Sequence, residues 1–238
     1  MKIRPPLHSW QVTPQQAIEL QKTLAPRILC EGQPTPESRY IAGSDISGED
    51  KEGFAIGAVV VLSFPGLELV EVKRARIKPT FPYVPGLLSF RESPVMLAAL
   101  KKLKTEPDVL MVDGQGLAHP RRFGIACHLG LLLDMPTIGC AKSILVGKYR
   151  DLDEKAGSTA DLVDKEEVVG AAVRTRDGVS PLFVSVGHKI GLTSAIGLTL
   201  ACRKGYRIPE PTRLAHQAAA LRLDEREPPA SEVRKSRT

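Results

Sequence analysis

Apolar and polar positions along the chain change period several times, and each change marks an element. Behind Thr13-Pro14, a pair suited to N-cap and first-turn positions, Ala17, Leu20 and Leu24 recur at helical spacing and predict a helix to about Ala25. A loop with Pro34 and Pro36 follows, then strand patterns over 40–47, 54–62 and 68–78. Only Ser63-Phe64-Pro65-Gly66-Leu67 separates the last two, so they form a hairpin and the chain opens with an antiparallel meander. Ser93-Pro94 is expected to open a helix with Met96, Leu97, Leu100 and Leu103 on one face. A short strand over 108–112, a helix apolar nearly all round over 124–134 and a strand over 137–140 come next; this alternation implies parallel pairing. Strands over 168–173 and 182–187, a helix from 192 to 204 with Gly205 at C′, and a helix from Pro211-Thr212 to about 223 complete the order. Residues 224–238 are polar and are expected to form a flexible tail.

Three antiparallel strands, a helix, a parallel strand, a helix and another parallel strand is the order of a ribonuclease H-like α/β fold. Its mixed sheet is flanked by helices, and its first and fourth strands are neighbours. One such domain is expected over residues 1–223. No G-x-G-x-x-G or P-loop follows any strand, which argues against a doubly wound nucleotide-binding fold.

Composition narrows the partners. With 42% hydrophobic and 25% charged residues, the 238-residue chain is globular rather than disordered. No apolar run reaches bilayer length and the first ten residues lack an apolar signal core, so a cytoplasmic, membrane-free protein is expected. Cys30, Cys127, Cys140 and Cys202 form no C-x-x-C pair, which disfavours zinc and disulfides. The formal charge is +6, but residues 151–167 hold seven acids and two lysines, net −5, leaving +11 elsewhere. A polyanion would meet the basic part, with the acidic segment turned away; simple solubility explains the charge equally well.

Candidate chemistry lies at strand ends. Alternation in the first strand puts Gly43, Asp45 and Ser47 on one face, where small neighbours leave space above the carboxylate. Asp113 ends the apolar run Val109–Val112, where acids of parallel strands face a ligand crevice. Each alone is an ordinary strand-end acid, but on neighbouring strands they require a cation or a shared proton, and oxygen ligation suits Mg²⁺ or Mn²⁺. Glu92, just before the helix expected at Ser93-Pro94, reads by itself as an N-terminal dipole partner. His216 lies off the Leu214, Ala218, Leu221 stripe and is either a surface histidine or a metal or supporting residue. Lys142 is either a plain surface lysine or a phosphate contact. Tyr83, stiffened by Pro82 and Pro85, is either an inward-packing ring or a wedge that stacks in a duplex. The loop over 113–124 combines glycines with His119, Arg121 and Arg122, the arginines being possible phosphate contacts.

Together these segments resemble the endonuclease V family. The resemblance is carried by Tyr40-Ile41-Ala42-Gly43-Ser44-Asp45, by Pro82-Tyr83-Val84-Pro85-Gly86 running on to Arg91-Glu92, and by Val112-Asp113-Gly114-Gln115-Gly116 with His119-Pro120-Arg121. It continues through Gly124 to Gly130, Gly139-Cys140-Ala141-Lys142, Gly187-His188-Lys189-Ile190 and Gly205 to Arg213, in family order over roughly residues 10 to 220. The resemblance implies Mg²⁺-dependent cleavage of DNA containing deoxyinosine, at the second phosphodiester bond 3′ to the lesion, leaving 3′-hydroxyl and 5′-phosphate ends. It implies Asp45 and Asp113 as principal metal ligands completed by Glu92 and His216, Lys142 at the phosphate, and Tyr83 as wedge. Gly86, Gly114, His119 and Gly124 would help form the base pocket. Two positions depart mildly: Gly191 stands where relatives often have a polar residue, and some relatives have Asp in place of His216. A nuclease acting on branched DNA or inosine-containing RNA, and a non-catalytic binder, are the alternatives. A monomer is expected.

Overall fold

The computed structural model describes residues 1, 3–32 and 38–228; the Pro34/Pro36 loop and residues 229–238 lie outside the described residues. The chain runs α1 (Pro14–Leu24), β1 (Tyr40–Ile46), β2 (Ala55–Ser63), β3 (Leu69–Ile77), α2 (Leu88–Leu100), β4 (Val109–Val112) and α3 (Ile125–Leu133), then β5 (Thr137–Ala141), β6 (Thr159–Asp164), β7 (Glu167–Val173), β8 (Leu182–His188), α4 (Leu192–Ala201) and α5 (Glu210–Ala219). The strands form one sheet in the order β3-β2-β1-β4-β5-β8-β7-β6. β1, β4 and β5 are parallel neighbours and the other pairs are antiparallel. This is the expected ribonuclease H-like architecture, with the first and fourth strands side by side.

Alternation along β1 serves two layers. Ala42 packs with Val59, Leu110 and Val112 against α2 and α3, while Ile41 packs with Val109 and Met111 in the layer that includes Ala195 of α4. α5 covers β2 on this second face through Ala215 and Ala218 against Ala58 and Val60. Gly43 lies on the Ile41 face, and here the structure corrects the expectation of open space. A Cβ at Gly43 would sit 2.0 Å from the carbonyl of Pro211, so the first turn of α5 fills the volume that the missing side chain leaves.

α1 starts as expected, with Thr13 and Gln16 forming a capping box. α2 does not: it begins at Leu88 and runs through Pro94, so Glu92 lies within the helix rather than before it. The cause is the turn ahead of it, where Leu87 N–H donates to Val84 O (2.9 Å) and Phe90 N–H to Leu87 O (3.0 Å). The backbone is already helical when Pro94 arrives, and the proline removes only the N–H that would reach Phe90 O. α4 ends at Ala201 rather than 204, because the Cys202 carbonyl accepts Glu210 N–H at 2.8 Å. Gly191 gives α4 no side-chain cap. α5 ends at Ala219 in a Schellman motif with Leu221 at φ 56°: Leu221 N–H donates to Ala218 O and Arg222 N–H to Gln217 O. β6, within the acidic segment, has no counterpart among the strands expected from the hydrophobic pattern. Only Leu162 of its six residues is buried, and its hairpin turn is Lys165-Glu166 rather than a glycine pair. Beyond α5, Arg226 bridges to Val72 of β3, while Glu227 pairs with Lys73 and Lys104.

Gly43→Ala drives a methyl group into the α5 backbone. It is expected to lower unfolding free energy by about 3 kcal/mol, measured by urea titration; an unchanged midpoint would show that α5 does not depend on this approach.

Candidate active site

The β1–β4 register pairs Ser44 with Val112, and Asp113 N–H continues the ladder to Ser44 O at 3.0 Å. Asp45 and Asp113 therefore follow as neighbours on adjacent parallel strands. α5, seated at Gly43, brings His216 over the first of them: His216 Nδ1 lies 2.6 Å from Asp45 Oδ2, while Asp45 Oδ1 accepts Ile46 N–H. Asp45, Asp113 and His216 each offer a ligand atom within 4.8 Å of one another. Two carboxylates and one imidazole are a hard, oxygen-rich donor set that fits a divalent cation such as Mg²⁺ or Mn²⁺.

Electrostatics supports a cation there. Burial raises the Asp45 carboxyl above its usual range, the Asp113 charge adds to this, and the His216 hydrogen bond opposes it. Glu92, half-buried on α2, is pushed up to about 8, first by burial and then by the Asp45 and Asp113 charges. Three carboxyl groups thus share one field. Lys142, just after β5, places Nζ on Asp113 Oδ2. Its loop is tied down by Gln115 Nε2 donating to Ser143 O (2.8 Å) and Arg207 Nη2 donating to Lys142 O (2.6 Å).

A pocket of about 420 Å³ adjoins this cluster and shares Asp113 and Lys142 with it. Tyr83, Gly86, Gly114, His119 and Gly124 also line it. Tyr83 is 72% exposed, so its ring does not pack inward. Gly86, at φ +77°, occupies the third position of the turn behind Pro85, where a left-handed backbone is required. His119 is held neutral, its pKa lowered to about 4 mainly by burial and also by Arg121; Nδ1 accepts Arg121 N–H and Nε2 lies 3.0 Å from Gly86 O.

The two arginines do not lie free for phosphate. Arg121 donates to Gln21 Oε1 and to Gly86 O (2.7 Å). Arg122 is bound by Asp164 (2.9 Å) and Glu167 (2.7 Å), which neutralise it with acids of the β6–β7 hairpin. Sequence reasoning missed Gln21, Ile144 and Leu145, which also line the pocket. Gln21 carried a signal, being a polar residue placed between Ala17 and Leu24 on the buried stripe of α1. Ile144 and Leu145, 40% and 46% exposed, follow no periodic pattern.

Neighbouring carboxylates on the central strands of a ribonuclease H-like sheet, with a lysine and a pocket alongside, define a nuclease of that fold class. The Endonuclease V family model matches residues 22–217. The Endonuclease V of Gloeobacter violaceus is 55% identical over 93% of this chain and 91% of that protein. A crystal structure of the Endonuclease V of Streptomyces avermitilis superposes with a TM-score of 0.85 at 42% identity, covering 93% of this chain and 97% of that one. The Ciona intestinalis Endonuclease V in complex with a 24mer DNA containing an inosine followed by a ribo-adenosine gives a TM-score of 0.76 at 29% identity, over 87% and 96%. The chain belongs to the endonuclease V family.

The raised Glu92 carboxyl has a pH consequence. Between pH 4.5 and about 8 the folded protein keeps a proton that the unfolded chain has lost, so this group's contribution to stability falls as pH rises through that window. Without divalent cations, the melting temperature of Glu92→Gln relative to wild type is therefore expected to climb with pH across it. A constant difference would show that burial and the neighbouring Asp45 and Asp113 charges do not raise the Glu92 carboxyl.

Proposed function

We propose that the protein is a DNA repair endonuclease that recognises deoxyinosine and hydrolyses the second phosphodiester bond on its 3′ side, leaving 3′-hydroxyl and 5′-phosphate ends. The observation that carries this reading is the continuity of the pocket with the carboxylate cluster through Asp113 and Lys142. A base seated in the pocket would keep its own strand beside the acids. The complex of the Ciona relative with inosine-containing DNA supports the same substrate. The protein would act in the cytoplasm as a monomer; among the described residues no helix is long and apolar enough to cross a membrane.

Asp45, Asp113 and His216, with Glu92 on the side of α2, would hold Mg²⁺, or Mn²⁺ in its place. The cation would supply activation of the attacking water and stabilisation of the leaving oxygen. His216 keeps Asp45 in one orientation through Nδ1. Lys142 Nζ, which donates to Asp113 Oδ2, would shift to the scissile phosphate and balance its developing charge. Tyr83, projecting beside the pocket, would fill the stack vacated by the extruded base, while Gly86, Gly114, His119 and Gly124 enclose that base. Arg121 would support the pocket from behind rather than touch phosphate.

Cleavage of end-labelled strands with inosine, uracil or no lesion, as DNA and as RNA, tests the reading. Product is expected one nucleotide beyond the inosine's 3′ neighbouring bond, with Mg²⁺ or Mn²⁺ and not with Ca²⁺, whose geometry is looser. Asp113→Ala should abolish cleavage while retaining inosine-DNA binding; Mg²⁺-dependent turnover by the purified variant would overturn the assignment. Preferential cleavage of inosine RNA would move the substrate to the alternative, since the Ciona complex places a ribonucleotide after the inosine.

Tyr83→Ala should weaken inosine-duplex binding by about tenfold or more, since base–aromatic stacking contributes about 1–3 kcal/mol. Single strands, which need no base pair opened, should lose less. Equal losses on both substrates, measured by equilibrium binding in Ca²⁺, would make Tyr83 a general contact.

A further inference from the structure

Gln21 is the polar member of the buried stripe of α1 and is only 1% exposed. Its amide has two N–H donors and one acceptor oxygen, and all are engaged within the protein. Nε2 donates to Gly86 O and to Phe123 O, both at 3.0 Å, and Oε1 accepts Arg121 Nε–H. The two carbonyls belong to separate segments of the pocket lining: one lies in the turn behind Tyr83, the other immediately precedes Gly124. Arg121 Nη2 and His119 Nε2 converge on the same Gly86 oxygen, at 2.7 and 3.0 Å. The other end of that peptide is also tied, because Leu87 N–H donates to Val84 O.

Closing the turn needs only this last bond. Filling the α1 stripe needs only an apolar side chain, which would avoid the desolvation of an amide. What the glutamine adds is a link between two pocket segments that no backbone hydrogen bond among the described residues joins. The family match begins at residue 22, one position beyond it.

We propose that Gln21, partnered by Arg121, is a positioning residue for lesion discrimination, fixing the spacing between the Gly86 turn and the Phe123–Gly124 segment. With its polar atoms engaged, Gln21 does not read the base itself; it holds rigid the peptide groups that do. The inference rests on the assignment of the pocket to an extruded base. A frame fixed in width selects by shape, so its loosening should affect preference more than chemistry.

The experiment uses the full chain with Gln21→Met, which preserves side-chain length and removes all three bonds, and Gln21→Glu, which keeps the Arg121 contact but turns an acceptor toward two carbonyls. Affinities for otherwise identical single strands carrying inosine or adenine are measured in Ca²⁺, with Mn²⁺ affinity and amide hydrogen exchange over residues 82–88 measured on the free proteins. Both variants should lose about tenfold of the inosine-over-adenine preference, the effect of roughly one or two hydrogen bonds. Exchange over 82–88 should quicken while Mn²⁺ affinity stays at the wild-type value. Wild-type preference and slow exchange retained in Gln21→Glu would overturn the proposal, as would a fall in melting temperature with preference intact, which marks a packing role. If wild type itself shows no inosine preference, the base-pocket assignment fails and the inference falls with it, an outcome visible in the wild-type measurements alone.

Discussion

Backbone pairing between β1 and β4 sets Asp45 beside Asp113 before any side chain selects a rotamer. The neighbouring groups respond to that enforced proximity of like charge. Lys142 reaches Asp113, His216 reaches Asp45, and Glu92 keeps its proton well above the ordinary carboxylate range. Repulsion held in place by a hydrogen-bonded ladder is a standing cost to the fold, and a cation seated between the carboxylates would relieve it. The approach of α5 to Gly43 belongs to the same arrangement, since a larger residue there would lift His216 away from the carboxylates.

The pocket is built on a different principle. Its polar framework is bonded internally and carries no carboxylate of its own: a neutral histidine, a glutamine whose amide nitrogen and oxygen are both engaged, and a guanidinium held by a carbonyl and an amide oxygen. One side of the groove therefore carries concentrated charge and the other a fixed arrangement of peptide groups, with Asp113 and Lys142 shared between them. Such a division would suit the proposed reaction, in which the base recognised and the bond broken belong to different nucleotides.

The sheet and its acids were legible because they follow from local rules. Alternation in β1 and the apolar run ending at Asp113 placed two carboxylates at strand ends, and the element order made the strands neighbours. What could not be read depended on tertiary partners. Arg121 and Arg122 look alike in sequence, yet one supports a turn carbonyl and the other is neutralised by Asp164 and Glu167. β6 was hidden because an edge strand with one buried side chain carries almost no hydrophobic period. α2 was misplaced because Ser93-Pro94 has the composition of a helix start, while the real start is supplied by backbone hydrogen bonds of the preceding turn.

The bridge between Arg226 and Val72 concerns a different hazard. β3 is the last strand on its side of the sheet, and an unpaired outer strand is a template onto which another chain can add. Here Arg226 exchanges both backbone bonds with Val72, and Glu225 and Glu227 set charges over Arg74, Lys73 and Lys104. At the opposite border β6 carries Asp161 and Asp164, and its Val163 is bridged by Lys148. Both margins are thus guarded against edge-to-edge aggregation, one by the chain's own later segment and the other by charge, so truncation before Arg226 would expose an adhesive border far from the chemistry.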